Sequence, residues 1–382
     1  MARVMTRRQM LTVAYFVAGL ATSFVGFVDS AFAMSALSAL AGLAAACVNP
    51  LLVIFISELY PASMRASTVG LWCTSQQMGG IVANNFASSM LASSSGAVGA
   101  WRRVFYASGI IVALFALPLS FAVRPSPRKQ MAARLSKMRK ERKFKSAEVA
   151  ADSVAEECKT TAPSLMESLM LPGVMSLASS YMLVKMARYC LMLWLPTFLK
   201  QKVGMNAAKA GAVASLFDAG GVLGGVLAGQ ATDKFAGGRM LSVSLPMCVA
   251  CAGAFVAWSL LVATGQSSEY LHAAAMLGVG FLIAGPDGIL GGAASKNLCE
   301  YNLCEAPEMA PAVSGTVNGL ASLGVIAMSK FTSNLVDKFG WSGLFLFLGA
   351  MLGASVVLAI PSVLVEMKYF SKTVSRKTIA KK

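Results

Sequence analysis

Two cationic side chains lie inside one long apolar stretch, at a spacing that could hold an anion. Lys185 and Arg188 are three residues apart in a segment that ends at Trp194-Leu195-Pro196. Residues three apart share one face of an α-helix, so the two cations would form a single positive pocket. The planar guanidinium of arginine donates two parallel charge-assisted hydrogen bonds and stays protonated. This pattern favours the binding of a small anion such as a phosphate.

Two carboxylates and an amide are candidates for the same site. Asp218 begins a glycine-rich helix, Asp287 follows Gly285-Pro286, and Gln76 lies in a third apolar segment. Asp218 could instead neutralise one cation in a structural ion pair, or alternate between that pairing and release to substrate. Asp287 could line a cavity or cap the helix break that proline allows. Gln76 could contact substrate hydroxyls or hold helices together.

The elements that must position these groups are membrane-spanning helices. Of the 382 residues, 56% are hydrophobic and 13% are charged, whereas soluble domains carry about 25% charged residues. A span needs about 20 apolar residues. Uncharged runs cover residues 10–28, 30–57, 66–101, 104–123, 240–268, 310–329 and 341–365. Further helices are expected near residues 170–196, 208–231 and 270–294. The sequence therefore predicts an all-α polytopic membrane protein with about ten spans.

The net charge of +16 is explained by topology rather than by nucleic acid. If ten spans are present, both termini lie on one side, and 24 lysines and arginines fall on that side against 6 in the opposite loops. Such a bias places the termini and the central loop in the cytosol. Which membrane holds the protein, endoplasmic reticulum or plasma membrane, stays open.

The charge distribution also divides the chain into domains. Residues 1–123 form a predicted N-terminal bundle of four spans, and residues 167–367 form a C-terminal bundle of six. Between them, residues 124–166 form a cytosolic linker with a strongly basic first half, and residues 368–382 form a basic cytosolic tail. The basic linker is explained by topology control, with binding to anionic lipid headgroups as the alternative.

No pattern in the chain indicates an enzyme, a metal or a cofactor. The single histidine, His272, is expected at the outer start of a helix, with no acid–base pair, nucleophile triad or phosphate loop elsewhere in the sequence. Cys248 and Cys251 lie in an uncharged helix without a nearby histidine, so packing explains them better than metal binding.

Several segments together resemble the major facilitator superfamily, and within it the exchangers of organophosphates for phosphate. They are the Pro50, Arg65 and Trp72 spacing, residues 187–199, residues 216–234 with a Gly-x-x-x-Asp-Lys ending, residues 280–286 and residues 336–345. The resemblance covers essentially all of the chain except the linker. It implies a fold of two helical bundles, here of four and six helices. The family's first two helices have no counterpart, for which an incomplete gene model is the simplest explanation and a natural ten-span protein the other.

The resemblance also implies roles for individual residues. Arg188 matches the arginine that grips phosphate in the bacterial members, Lys185 a lysine of the eukaryotic members, and Asp218 the acidic position of helix eight. Gln76 stands where the family has a binding histidine. The cytosolic turns would supply gate residues, namely Glu58, Arg65, Asp233, Lys234 and Arg239.

Together these observations predict a secondary transporter that exchanges a sugar phosphate or glycerol-3-phosphate for inorganic phosphate. Occluding unpaired cations is costly, so the bundles would move only with an anion bound. The expected partners are the anionic substrate and the lipid bilayer, with no nucleic acid and a monomeric state. The alternatives are a carrier of another organic or inorganic anion, or a truncated copy that does not transport.

Overall fold

The fold is helical throughout the part of the chain that can be described. A computed structural model describes residues 7–46, 48, 52, 65–93, 99–122, 165–265, 268–302 and 309–379. Six of the described helices are long and apolar enough to cross a membrane. The predicted all-α polytopic fold is therefore confirmed, whereas the count of ten spans is not. Glu58 and most of the predicted linker lie outside the described residues.

Twelve α-helices follow one another within these ranges. The first four are α1 (Arg7–Val25), α2 (Ala31–Ala45), α3 (Arg65–Ser93) and α4 (Ala100–Ala122). The next four are α5 (Leu165–Met170), α6 (Val174–Phe198), α7 (Ala207–Lys234) and α8 (Leu241–Ala263). The last four are α9 (Glu269–Gly288), α10 (Ala294–Tyr301), α11 (Met309–Leu358) and α12 (Ile360–Ile379). Two π-helical segments, Leu199–Val203 and Ile289–Ala293, extend α6 and α9.

Helix α11 differs from its prediction. The sequence predicts spans at 310–329 and 341–365 with a loop between them. The structure has two helices there, which meet directly at Gly340 (φ 68°, ψ −177°) within the 50 residues of α11. A positive φ is accessible to glycine at little cost, so a single residue replaces the expected loop. The run ends at Leu358, just before Pro361, whose nitrogen cannot continue the helical hydrogen bonds.

The chain divides into two compact units. The first contains α1, α2 and residues 107–122 of α4. Within it, α1 and α4 approach closely at Gly19 and Gly109, because a Cβ on either glycine would collide with the other helix. Tyr15 and Phe115 pack edge to face beside them, with ring centroids 6.1 Å apart. Small residues thus set the spacing of these two helices.

The second unit contains α3, the first turns of α4 and every helix from α5 onward. In it α3 packs along α7, α6 along α11, and α7 along α9. The backbones of α7 and α9 are in direct contact, because a Cβ at Gly220 or Gly224 would strike the backbone of Leu277 or Phe281. From the other helix, Gly280 approaches the backbone of Phe217 in the same way.

Buried polar groups form hydrogen bonds near both ends of α8. The buried Trp258 indole donates from Nε1 to Nδ1 of His272 at 3.1 Å, and Phe198 packs edge to face against both rings. At the other end of α8, the buried Glu366 carboxylate of α12 accepts from the Met240 amide at 2.8 Å. His272 is therefore held in a structural aromatic cluster, and Glu366 caps the start of α8.

Candidate anion-binding site among five helices

Helix α6 carries both predicted cations into the interior of the second unit. Lys185 and Arg188 are buried, together with Val184 and Ala187 beside them. The helix begins after Gly173, which has a left-handed conformation (φ 86°). Since an apolar helix buries these charges only if partners are present, the neighbours of each cation determine what the site can do.

Arg188 pairs with a carboxylate of α9. Its Nη1 donates to Oδ2 of Asp287, and the two side chains are only 2% and 9% exposed. The sequence suggests Asp218 as a possible ion-pair partner, but in the structure the partner of Arg188 is Asp287. The second Asp287 oxygen, Oδ1, is buried and has no hydrogen-bond partner among the described residues.

Lys185 is held by neutral groups. Its Nζ donates to Oγ of Ser322 at 3.0 Å and to Oδ1 of Asn318 at 3.4 Å, both on α11. The rings of Tyr181 and Tyr189 lie 5.6 Å from the ammonium, within the range of a cation–π contact. No carboxylate within the described part of the chain forms an ion pair with Lys185, although Asp287 attracts it from a greater distance.

Asp218 is the second buried carboxylate of the site. It lies on α7 against α3, where a Cβ at Gly80 would come within 2.7 Å of its Oδ2. An electrostatic attraction links it to Arg188, but no described donor forms a hydrogen bond with it. Asp218 thus contributes negative charge to the site without being locked to one cation.

Gln76 reaches the site from α3. Its side chain is exposed and lies near the side chain of Tyr189. The next residue, Gln77, is buried against Gly221 at the α3–α7 contact. The sequence leaves two roles open for Gln76, substrate contact and helix packing. In the structure Gln77 serves in helix packing, whereas Gln76 lies next to the cations.

The structure shows a turn of irregular helix directly after Asp287. The π-helical segment Ile289–Ala293 begins two residues later, and its Gly291 carbonyl accepts from Nδ2 of Asn318 at 2.7 Å. Such segments are frequent at functional sites because they alter the direction of neighbouring side chains. Here the segment connects α9, which carries Asp287, to the α11 residue that holds Lys185.

Four residues of this site are missing from the sequence analysis, namely Tyr181, Tyr189, Asn318 and Ser322. The spacing contains a signal for each. Tyr181 and Tyr189 are four residues before and after Lys185, so all three share a helix face. Asn318 and Ser322 are also four apart, on α11. Their partner could not be read from the sequence.

Three of the predicted gate residues, Asp233, Lys234 and Arg239, lie apart from this cluster. Asp233 is half-buried and Lys234 exposed at the end of α7. The exposed Arg239 places its guanidinium 5.3 Å from the ring centroid of Phe370. Arg65 begins α3, but its side chain and the whole of Glu58 lie outside the part of the chain that the structure describes.

Comparison with known proteins identifies the fold that holds this site. The sequence profile of the Major Facilitator Superfamily matches residues 1–299. The chain belongs to this superfamily. It is accordingly a multi-pass membrane protein, and the predicted resemblance is confirmed at this level. Among solved structures, a proton:xylose symporter of the superfamily aligns with a TM-score of 0.62 over 92% of this chain and 79% of its own, at 18% identity.

Its relatives include transporters of phosphorylated metabolites. Human sugar phosphate exchanger 3 is 28% identical over 206 residues, which are 53% of this chain and 40% of that protein. A putative glycerol-3-phosphate transporter of Arabidopsis thaliana is 24% identical over 376 residues, 93% of this chain and 69% of its own. A glucose-6-phosphate exchanger of Xenopus laevis is 24% identical over 379 residues, 92% and 73% respectively. The chain thus matches less than half the length of the human relative.

Proposed function

We propose that this superfamily member is a secondary carrier that exchanges a phosphorylated small metabolite for inorganic phosphate by alternating access. The observation that carries the proposal is the pair of buried cations on α6. Arg188 is 2% exposed. Lys185 beside it donates to neutral oxygens and lies 5.6 Å from two tyrosine ring centroids among the residues that the structure describes. The names of the three relatives support a phosphate ester as the anion.

Each side chain has a distinct part in this proposal. Arg188 donates its planar fork to the phosphoryl oxygens, and Lys185 supplies a second positive charge. Gln76 and the Asn318 amide are placed to hydrogen-bond the hydroxyl groups of a sugar or glycerol. The two carboxylates, Asp218 and Asp287, balance the cations when no anion is present. Binding then replaces carboxylate–cation contacts with phosphate–cation contacts.

Larger-scale movement belongs to the proposal too. The predicted bundles, residues 1–123 and 167–367, would open the site alternately to each side of the membrane. The protein would act as a monomer, with its termini and linker in the cytosol. The charged turns with Glu58, Arg65, Asp233, Lys234 and Arg239 would latch the cytosolic side. The cycle would need no cofactor and no metal.

Exchange of labelled phosphate in proteoliposomes tests this function. Vesicles loaded with unlabelled phosphate should take up external labelled phosphate, and an excess of a sugar phosphate or glycerol-3-phosphate should compete. The double variant R188Q/D287N removes both members of the buried ion pair and leaves no uncompensated charge, so it should fold but lose exchange.

The matched control is Lys209→Gln. Lys209 forms an ion pair with Glu269 at 2.7 Å, but the two side chains are 51% and 45% exposed. Exposed pairs contribute about 0.2–1 kcal/mol, so this variant should exchange phosphate like the wild type. Wild-type rates in R188Q/D287N, or competition by nitrate and carboxylates but not by phosphate esters, would contradict the proposal.

A further inference from the structure

The ion pair between α6 and α9 has a consequence for what must accompany the anion. Asp287 is 8% exposed. Its Oδ2 accepts from Arg188, while its Oδ1 has no hydrogen-bond partner among the described residues. Arg188 is therefore the described group that donates a hydrogen bond to this buried carboxylate.

The charges that face Asp287 come from the helices packed on α9. Helix α6 presents Lys185, Arg188 and Tyr189, each of which interacts electrostatically with Asp287 or directly contacts it. Helix α7 presents Asp218, in attraction with Arg188. Helix α8 carries two neutral thiols, Cys248 and Cys251, and the Cys251 thiol lies against the Val279 carbonyl, two turns before Asp287 on α9. Helix α3 contributes the neutral amides of Gln76 and Gln77. With all four charged groups ionised, two cations face two carboxylates and the empty site is electrically balanced.

An anion that binds Arg188 disturbs this balance. It takes the guanidinium from Asp287 and adds at least one negative charge to the site. A carboxylate left in a buried place without a cation or a hydrogen-bond donor takes up a proton rather than remain charged. One proton on Asp287 returns a site loaded with a monoanion to electrical balance.

We propose that Asp287 is a built-in counter-anion that substrate displaces from Arg188, and that it crosses the membrane protonated, so that each monoanion moves together with one proton. This inference rests on the proposed function. During uptake, the hydrogen bond from Arg188 Nη1 to Asp287 Oδ2 breaks and one to a phosphate oxygen forms. The Asp287 carboxylate gains a proton from water on the side of uptake. On release, the proton returns to water on the opposite side and Arg188 returns to Asp287.

A balanced empty site has a second consequence. Because Asp287 neutralises Arg188 when no anion is bound, the empty carrier need not bury an unpaired arginine to return. Net uptake of phosphate with a proton should therefore occur in addition to exchange. The prediction of exchange from the sequence rests instead on the cost of occluding unpaired cations.

Two assays on the same proteoliposomes test the inference. The first is exchange of labelled phosphate at equal pH. The second is uptake into phosphate-free vesicles, with and without a pH gradient that is acidic outside, together with a luminal pH dye. The wild type should show several-fold faster uptake with the gradient, and the lumen should acidify as phosphate enters. Asp287→Asn, which mimics the protonated carboxyl, should lose the stimulation, so that its uptake is equally fast with and without the gradient.

The variants separate the proton of the protein from that of phosphate. Phosphate itself titrates near neutrality, but this effect is the same for the wild type and D287N, so the difference between them reports Asp287. Glu366→Gln is the matched control, because it neutralises another buried acid at the cap of α8, and it should behave like the wild type in both assays.

The outcomes are distinct. Absence of exchange in the wild type would refute the proposed function itself. Exchange without gradient stimulation in the wild type, or equal stimulation in D287N, would overturn the inference and leave the exchanger intact. If D287N proves inactive, the wild type decides. At acid pH an inside-negative potential should not slow uptake of the monoanion when a proton accompanies it, and slowed uptake would overturn the inference.

Discussion

The two helix pairs that form the site are built in opposite ways. In the basic pair, α6 and α11, polar side chains meet across the contact, with Lys185 on Ser322 and Asn318. In the acidic pair, α7 and α9, bare backbone meets backbone at glycines such as Gly220 and Gly280. One pair contributes the cations and the other contributes Asp218 and Asp287.

This segregation places the electrical balance of the site between the pairs rather than within them. At Gly220, Gly224 and Gly280 the helices that carry the two carboxylates meet backbone to backbone, with no room for a larger side chain. The basic pair joins through hydroxyl and amide groups, which can re-form hydrogen bonds with a ligand. The Arg188–Asp287 ion pair links the two helix pairs directly, and in the proposed mechanism it is the contact that substrate opens.

The largest expected effect comes from cutting that link on one side. Arg188→Ala leaves Asp287 buried without its cation, and such a loss costs about 3–5 kcal/mol. The thermal midpoint of the purified protein should fall sharply, and phosphate exchange should disappear. R188Q/D287N should recover most of the stability but none of the exchange. If the double variant were as unstable as Arg188→Ala, the pair would be mainly a structural element.

A smaller effect is expected from opening the acidic pair. Gly224→Ala places a Cβ against the carbonyl of Phe281, and relieving such overpacking typically costs about 1–3 kcal/mol. Gly253→Ala on α8 is the control, because its Cβ would meet nothing within 4 Å. There the higher helix propensity of alanine should leave stability equal or raise it by up to about 1 kcal/mol. Equal midpoints for both variants would show that the helices separate without cost.

The smallest effect on stability is expected in the basic pair. Lys185→Gln removes a charge whose hydrogen-bonding partners in the described structure are neutral, so the free energy of unfolding should change by less than about 1 kcal/mol. The KM for phosphate should rise about tenfold, which corresponds to roughly 1.4 kcal/mol of lost attraction. A destabilisation as large as that of Arg188→Ala would mean that the ammonium forms a direct ion pair with a carboxylate.

Much of this arrangement follows from sequence patterns, and some of it does not. Lys185 and Arg188 at helical spacing indicate a shared face, and the glycines of α7 indicate close packing. The partner of Arg188 does not follow, because Asp218 and Asp287 are both deep acids on neighbouring helices and only their distances decide. The missing loop of α11 has a similar cause: residues 330–340 carry charges typical of a loop, yet only Gly340 leaves the helical conformation.

The central claim is that Arg188 binds the anion, and calorimetric titration of phosphate into the purified carrier tests it most directly. The account predicts saturable binding to the wild type and to Lys209→Gln, and a loss of affinity of at least a hundredfold in R188Q/D287N. Equal affinity in the wild type and a folded R188Q/D287N variant would contradict it.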